Sequence, residues 1–268
     1  MNSEPLLSLH VNARYARKAV LRDVALELNR GEVLSLVGQS GCGKSTLALC
    51  ILRLLHLKRG TVDGRILFQG TDLLVLRERD MRAIRGKEIA LVLQSPISAL
   101  NPVLRIGTQF NEAWNVHRSD SSRRERECEI AETLRRVSLP ADPSFLRRYP
   151  SELSVGQAQR VLIGMAVLHR PLLLIADEPT SALDVLTQSE VIGPFASLSR
   201  ELKMGVLFIS HDLLSVGAIS DRVAVMHAGE IVENQSARDI FMRPMHPYTR
   251  QLIGALPAIP NFDAAAGF

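Results

Sequence analysis

Val24, Leu26 and Leu28 alternate with Ala25, Glu27 and Asn29, the period of a strand with one covered face, and Arg30, Gly31 and Glu32 then supply a turn. The next five residues, Val33-Leu34-Ser35-Leu36-Val37, form an apolar run that reads as a buried strand. It feeds directly into the glycine-rich stretch Gly38-Gln39-Ser40-Gly41-Cys42-Gly43-Lys44-Ser45-Thr46, after which Leu47, Ile51, Leu54 and Leu55 recur at helical spacing. A further apolar run, Ile89 to Leu93, ends at Gln94. Beyond it the chain turns to helical periodicity with many charges, and Ile130, Leu134 and Val137 mark one face. Roughly Ser98 to Met165 therefore reads as a helical insert between two parts of an α/β core. The buried-strand pattern resumes at Leu172 to Ala176 and repeats at Val206 to Ile209 and Val223 to Met226. This alternation predicts a mostly parallel sheet covered on both faces. There is no internal repeat or low-complexity stretch, and the tail Asp263 to Phe268 is expected to be loose.

Composition narrows this picture. A chain of 268 residues holds one large domain or two modest ones, and 46% hydrophobic with 22% charged residues is a globular balance rather than a disordered one. The net charge of +4 raises nucleic acid as a partner, but the basic residues are interspersed with acidic ones, as in Arg123-Arg124-Glu125-Arg126-Glu127, which is the pattern of a solvated face. Three cysteines, Cys42, Cys50 and Cys128, lack C-x-x-C spacing and fit a reducing compartment. The N-terminal residues carry no basic segment followed by an apolar stretch, and no apolar run approaches the ~18 residues of a membrane span. The expectation is a chain neither secreted nor membrane-spanning by itself.

The chemistry begins at Gly38-x4-Gly43-Lys44-Ser45, a phosphate-loop pattern in which backbone N–H groups face a concavity that cradles phosphate oxygens. Lys44 would reach the β and γ phosphates of a nucleotide, Ser45 would offer its hydroxyl oxygen to Mg²⁺, and the following helix N-terminus adds a favourable field. The nucleotide-contacting set is Gly38, Gln39, Ser40, Gly41, Cys42, Gly43, Lys44, Ser45 and Thr46. Such a site also needs a carboxylate for the metal, and Leu172-Leu173-Leu174-Ile175-Ala176-Asp177-Glu178 supplies Asp177 at the end of an apolar run. Glu178 is then placed to orient and deprotonate an attacking water. Alone, two acids after a strand would as readily cap a helix.

Taken together these segments resemble the ATP-binding subunit of ATP-binding-cassette (ABC) transporters over about nine-tenths of the chain. Leu153-Ser154-Val155-Gly156-Gln157 resembles the family signature LSGGQ, Gln94 the Q-loop glutamine, Ser181-Ala182-Leu183-Asp184 the D-loop, and His211 in Ser210-His211-Asp212 the switch histidine. Tyr15 stands where the family has the aromatic that stacks on adenine. Singly, Gln94 is an ordinary strand end, Ser154 a helix N-cap and Tyr15 a hairpin residue covering core. Their joint order carries the resemblance. It implies an α/β phosphate-loop cassette spanning 1–256, with a mostly parallel core sheet, an N-terminal antiparallel β subdomain and an inserted α-helical subdomain, followed by a C-terminal tail over 244–268. It also implies ATP hydrolysis with Mg²⁺, with Glu178, His211, Gln94 and Lys44 as catalytic residues and Ser45, Gln94 and Asp177 around the metal.

In the family two such subunits meet head to tail, each ATP lying between one phosphate loop and the other subunit's signature. Ser154, Gly156 and Gln157 would thus act in trans, and Asp184 would sit at the D-loop. ATP favours the closed pair and hydrolysis reopens it. One departure stands out. Val155 replaces the first glycine of the signature pair, and a β-branched residue tolerates positive φ poorly and brings a side chain toward the phosphate. The expectation is a non-identical ATPase partner and two unequal sites.

Ser98-Ala99-Leu100-Asn101-Pro102-Val103 with Ile106-Gly107, and His246-Pro247-Tyr248-Thr249-Arg250 in the tail, resemble the ATPase subunits of oligopeptide, dipeptide and nickel importers. Pro247 also suits the first turn of a last helix with Leu252 and Leu256 packing on the core. No cysteine follows Cys128, so no iron-sulfur cluster is expected. The resemblance implies two transmembrane permease subunits, an extracytoplasmic binding protein, no nucleic acid, and a peripheral position on the cytoplasmic face of a bacterial inner membrane. Two rival readings remain. One is a soluble ABC ATPase acting on nucleic acid or ribosomes, and the other is a regulatory ATP-binding subunit with weak turnover.

Overall fold

A computed structural model describes residues 4–180 and 185–256. The chain opens with an antiparallel hairpin, β1 (Leu7–Tyr15) and β2 (Lys18–Leu28), paired from Leu7 opposite Leu28 to Tyr15 opposite Lys18 with shifts of register on either side of Ala13. Leu7, Leu9, Val11 and Ala13 of β1 are buried on one face, as strand alternation requires. All five residues of β3 (Val33–Val37) are buried, and the strand passes through the glycine-rich loop into α1 (Lys44–Ile51). Next come β4 (Gly60–Phe68), antiparallel to β1, the short β5 (Thr71–Asp72), and α2 (Glu78–Ile84).

β6 (Ile89–Val92) leads into a run of helices: α3 (Pro96–Ala99), α4 (Ile106–Asn115), α5 (Arg123–Arg136), α6 (Pro143–Leu146) and α7 (Val155–Val167). The α/β alternation then resumes with β7 (Leu173–Asp177), α8 (Val185–Leu202), β8 (Gly205–Ser210), α9 (Leu213–Ile219), β9 (Arg222–His227) and β10 (Glu230–Ser236). Two helices, α10 (Ala237–Met242) and α11 (Pro247–Gly254), end the described chain.

The strands form two sheets. One has the order β2-β1-β4-β5 and is antiparallel; the other has the order β10-β9-β3-β8-β7-β6 and is parallel except for β10 on β9. Side chains of the second sheet divide between two cores. Val37, Val206 and Phe208 join Phe110, Trp114, Leu134, Phe195 and Phe241 on the helical side. Leu34, Leu36, Leu207 and Ile209 join Leu7, Val11, Leu26, Leu47 and Ile51 between the sheets. A strand covered on both faces has little need of polar residues, which is why β3, β7 and β8 read as apolar runs; the buried Ser35 of β3 pairs its hydroxyl with that of Ser220 at 2.5 Å. Among the described residues, no helix is long and apolar enough to cross a membrane.

One helix is shorter than its periodicity predicts. Leu54 and Leu55 lie outside α1, because Arg53 turns left-handed at φ +52° and the chain closes a Schellman motif: Leu54 N donates to Leu49 O at 2.8 Å and Arg53 N to Cys50 O at 3.0 Å. Leu55 still reaches the same core, through a 3₁₀ turn. The last helix starts at Pro247 as expected, with Leu252 and Leu256 packed against the core. Residues 263–268, read as a loose tail, lie outside the described residues.

Candidate functional site

The loop after β3 is pressed between neighbouring strands, and this explains its glycines. A Cβ on Gly38, at φ +153°, would lie 2.1 Å from the Met226 carbonyl oxygen of β9, and one on Gly43, at φ +119°, would lie 2.7 Å from Leu21 Cδ2 of β2. With no side chains in the way, Ser40, Gly41, Gly43, Lys44, Ser45 and Thr46 line a cleft of about 290 Å³ that is closed opposite by Gln94 and Glu178. The first turn of α1 opens onto it, and a helix N-terminus with unpaired amides attracts anions.

Lys44 is 4% exposed, and its ammonium donates to Gly38 O at 2.7 Å and Gln39 O at 3.1 Å while standing 4.0 Å from Glu178 Oε1. The cation thus folds back over the loop. Ser45 Oγ donates to Asp177 Oδ1 at 3.0 Å. Burial pushes the Asp177 carboxyl up, against the pull of the Ser45 hydrogen bond. A hydroxyl and a carboxylate side by side at the mouth of a phosphate cradle suit Mg²⁺, which takes oxygen ligands and is held by one or two carboxylates plus substrate phosphates. Burial likewise pushes the Cys42 thiol up despite the nearby Lys44 ammonium.

Glu178 follows β7 in a left-handed conformation at φ +48°, its N–H donating to Ile209 O of β8 at 2.9 Å. That conformation is uncommon for a residue with a Cβ and concentrates at functional sites. It aims the carboxylate into the cleft. Gln94 Nε2 donates to Glu178 Oε2 at 3.2 Å, and His211 Nδ1 lies 3.3 Å from the same oxygen. Lys44, Ser45, Gln94, Asp177, Glu178 and His211, spread over four segments of the chain, therefore meet at the ends of parallel strands. Gln94 engages Glu178 here rather than Asp177. Tyr15 does not line the cleft; it packs on the core between the sheets, with its hydroxyl 3.5 Å from Thr46 Oγ1.

Ser154, Gly156 and Gln157 do not line the cleft. Ser154 caps α7: its Oγ accepts from Gln157 N, and Gln157 Oε1 accepts from Ser154 N, both at 3.2 Å. Val155 is the first residue of that helix and is not among the residues with positive φ. The expectation of backbone strain at Val155 is thereby corrected: the position needs helical dihedrals, which valine adopts. Its side chain, 38% exposed, is what the substitution adds. Asp184 and the rest of Ser181 to Asp184 lie outside the described residues.

Tyr248 was not a candidate from sequence, where it served only as part of a tail resemblance. It reaches the phosphate loop from α11, its Oη accepting from Gln39 N at 3.0 Å across 209 residues. No local pattern signals a contact of that span.

Similarity to known proteins agrees with this geometry. A family model described as "ABC transporter" matches residues 21–181. The dipeptide transport ATP-binding protein DppD of Bacillus subtilis (strain 168) is 42% identical over 240 residues, 89% of this chain and 71% of that protein. A putative peptide import ATP-binding protein of Brucella ovis is 43% identical over 97% of this chain and 80% of its own length. The glutathione import ATP-binding protein GsiA of Escherichia coli (strain K12) is 42% identical over 90% of this chain, which spans only 40% of that longer protein. Among solved structures, the dimeric ATP-binding cassette MJ0796 in a post-hydrolysis state with ADP and Pi superposes with a TM-score of 0.73 at 26% identity, covering 87% of this chain and 99% of that one.

Proposed function

The chain belongs to the ABC transporter family, and from that premise we propose that it is the ATP-hydrolysing subunit of an importer that carries peptides. The observation that carries the catalytic half is the Glu178 carboxylate, shared by Gln94 and His211 and set beside the Lys44 ammonium. The cargo half rests on relatives named for dipeptide, peptide and glutathione import.

ATP enters with its phosphates over the N-terminus of α1. Lys44 exchanges Gly38 O and Gln39 O for the β and γ phosphate oxygens. Tyr15 offers its ring to the adenine. Ser45, Asp177 and Gln94 would hold Mg²⁺, which would supply charge neutralisation for phosphoryl transfer. Glu178 orients a water in line with the γ phosphate and takes its proton, while His211 and Gln94 hold the carboxylate in place. Ser154, Gly156 and Gln157, at the N-terminus of α7, serve a second subunit's nucleotide.

Residues 98–165 form the insert that meets the membrane partners. A largely apolar groove of about 410 Å³ runs between β6 and helices α4 and α7, lined by Leu91, Leu93, Val116, His117, Met165 and His169, with Leu93 49% and Val116 73% exposed. Leu93 adjoins Gln94, so a permease segment seated there would feel the state of Glu178. The partners are a second ATPase subunit, two permeases and an extracytoplasmic binding protein, which places the chain on the cytoplasmic face of the membrane.

Deleting the chain from its host tests this reading. Uptake of labelled di- and tripeptides should fall while uptake of free amino acids holds, and Glu178→Gln should fail to restore it. Peptide uptake unaffected by the deletion would overturn the cargo assignment.

A further inference from the structure

The Gly38–Gln39 peptide unit is held at both ends. Its carbonyl accepts from Lys44 Nζ at 2.7 Å, and its amide donates to Tyr248 Oη at 3.0 Å. A glycine on the N-terminal side of a peptide leaves it free to rotate, so these two bonds set its orientation. They differ in permanence. Lys44 is the group that turns to the phosphates when nucleotide arrives, and it then gives up Gly38 O.

Tyr248 is fixed from the other side. It is 8% exposed, and its ring packs against that of His227 with centroids 4.0 Å apart. Its own N–H donates to His246 Nδ1 at 3.2 Å at the start of α11. The entry to that helix is tied down by Glu233, whose carboxylate accepts from Met245 N at 2.8 Å and His246 N at 2.9 Å. The phenolic oxygen is thus presented by a rigid support that no phosphate displaces.

We propose that Tyr248 is a positioning residue of the nucleotide site: its phenolic oxygen anchors the Gly38–Gln39 peptide, and with it the start of the phosphate loop, once Lys44 has left, so the C-terminal helix sets nucleotide affinity. The inference rests on the reading of Gly38 to Ser45 as the nucleotide loop. It assigns the tail's His-Pro-Tyr segment a task beyond covering core.

Calorimetric titration of the full chain with MgATP and MgADP tests it on wild type, Tyr248→Phe and Leu252→Ala. Leu252 packs on the same core from the same helix but carries no polar group to hold a loop peptide. Tyr248→Phe should raise Kd for both nucleotides by about threefold to tenfold, the range of one ordinary hydrogen bond. Leu252→Ala should lower the melting temperature and leave Kd within about twofold of wild type, a shift below the reach of such a bond. Equal Kd for Tyr248→Phe and wild type would overturn the proposal, as would a Leu252→Ala effect on Kd as large as that of Tyr248→Phe. Wild type that binds neither nucleotide would overturn the loop assignment itself, and this inference with it.

Discussion

His211 Nδ1 lies 3.3 Å from Glu178 Oε2, the oxygen that also accepts from Gln94. The imidazole comes from the end of β8 and the carboxylate from the end of β7, so two adjacent parallel strands bring them together. A base that must aim at one water gains from being held on one oxygen while the other stays available. Here Oε1 faces Lys44 at 4.0 Å.

Glu178→Gln keeps the shape and removes the basicity. Steady-state turnover should drop by about 10²–10⁴-fold, the usual contribution of a general base, with ATP affinity retained. His211→Ala should also lower kcat and leave KM for ATP little changed, because His211 does not itself line the cleft and is joined to it through Glu178. Turnover in Glu178→Gln equal to wild type would remove Glu178 from its assigned role.

Two glycine substitutions should have opposite signs. A Cβ at Gly38 meets a backbone carbonyl oxygen at 2.1 Å with φ at +153°, whereas one at the exposed Gly254 of α11 meets nothing within 4 Å. Gly38→Ala should therefore destabilise by roughly 1–3 kcal/mol and abolish nucleotide binding. Gly254→Ala should stabilise by about 0.4–1 kcal/mol through the unfolded chain. Thermal melting with and without MgATP reads both.

Much of this was legible beforehand, and the reason is local. Strands covered on both faces leave apolar runs, and the phosphate loop carries its chemistry in contiguous residues, so β3, β7, β8, β9 and the set Lys44, Ser45, Asp177 and Glu178 could be named from the chain alone. What escaped was set by tertiary packing. Arg53 ends α1 without a glycine because its guanidinium donates to Leu73 O and Leu76 O, contacts that periodicity does not register. The signature resemblance assigns Val155 a glycine's dihedrals, yet the Ser154–Gln157 capping box starts a helix there. Tyr248 reaches Gln39 only because β9 brings α11 beside β3.

Glu233 gives the tail a pH dependence. Burial pushes its carboxyl up, but the Thr249 hydroxyl and the Met245 and His246 amides outweigh this and hold it below the ordinary value of 4.5. A depressed carboxylate contributes stability above its unfolded pKa, and that contribution is lost as the pH falls through the folded value. Wild type should therefore melt higher than Glu233→Gln near neutral pH, and the gap should close below about pH 4. A gap that is constant from neutral pH into acid would contradict this linkage.

Val155 is the last test, because the structure changes what it should mean. Its backbone is helical, so replacing it by glycine relieves no strain and costs the helix at most about 1 kcal/mol of propensity. What glycine removes is a branched, 38% exposed side chain at the helix N-terminus, where a second subunit's γ phosphate would approach. If that side chain is the obstacle, the chain alone should hydrolyse ATP slowly and without cooperativity, since each site would be completed by another copy's Val155. Val155→Gly should then raise kcat several-fold and stabilise an ATP-bound dimer, as read by light scattering in a Glu178→Gln background that prevents turnover. A wild-type chain that already forms a symmetric, fully active dimer would show that the side chain is accommodated, and would remove the reason to expect a non-identical partner.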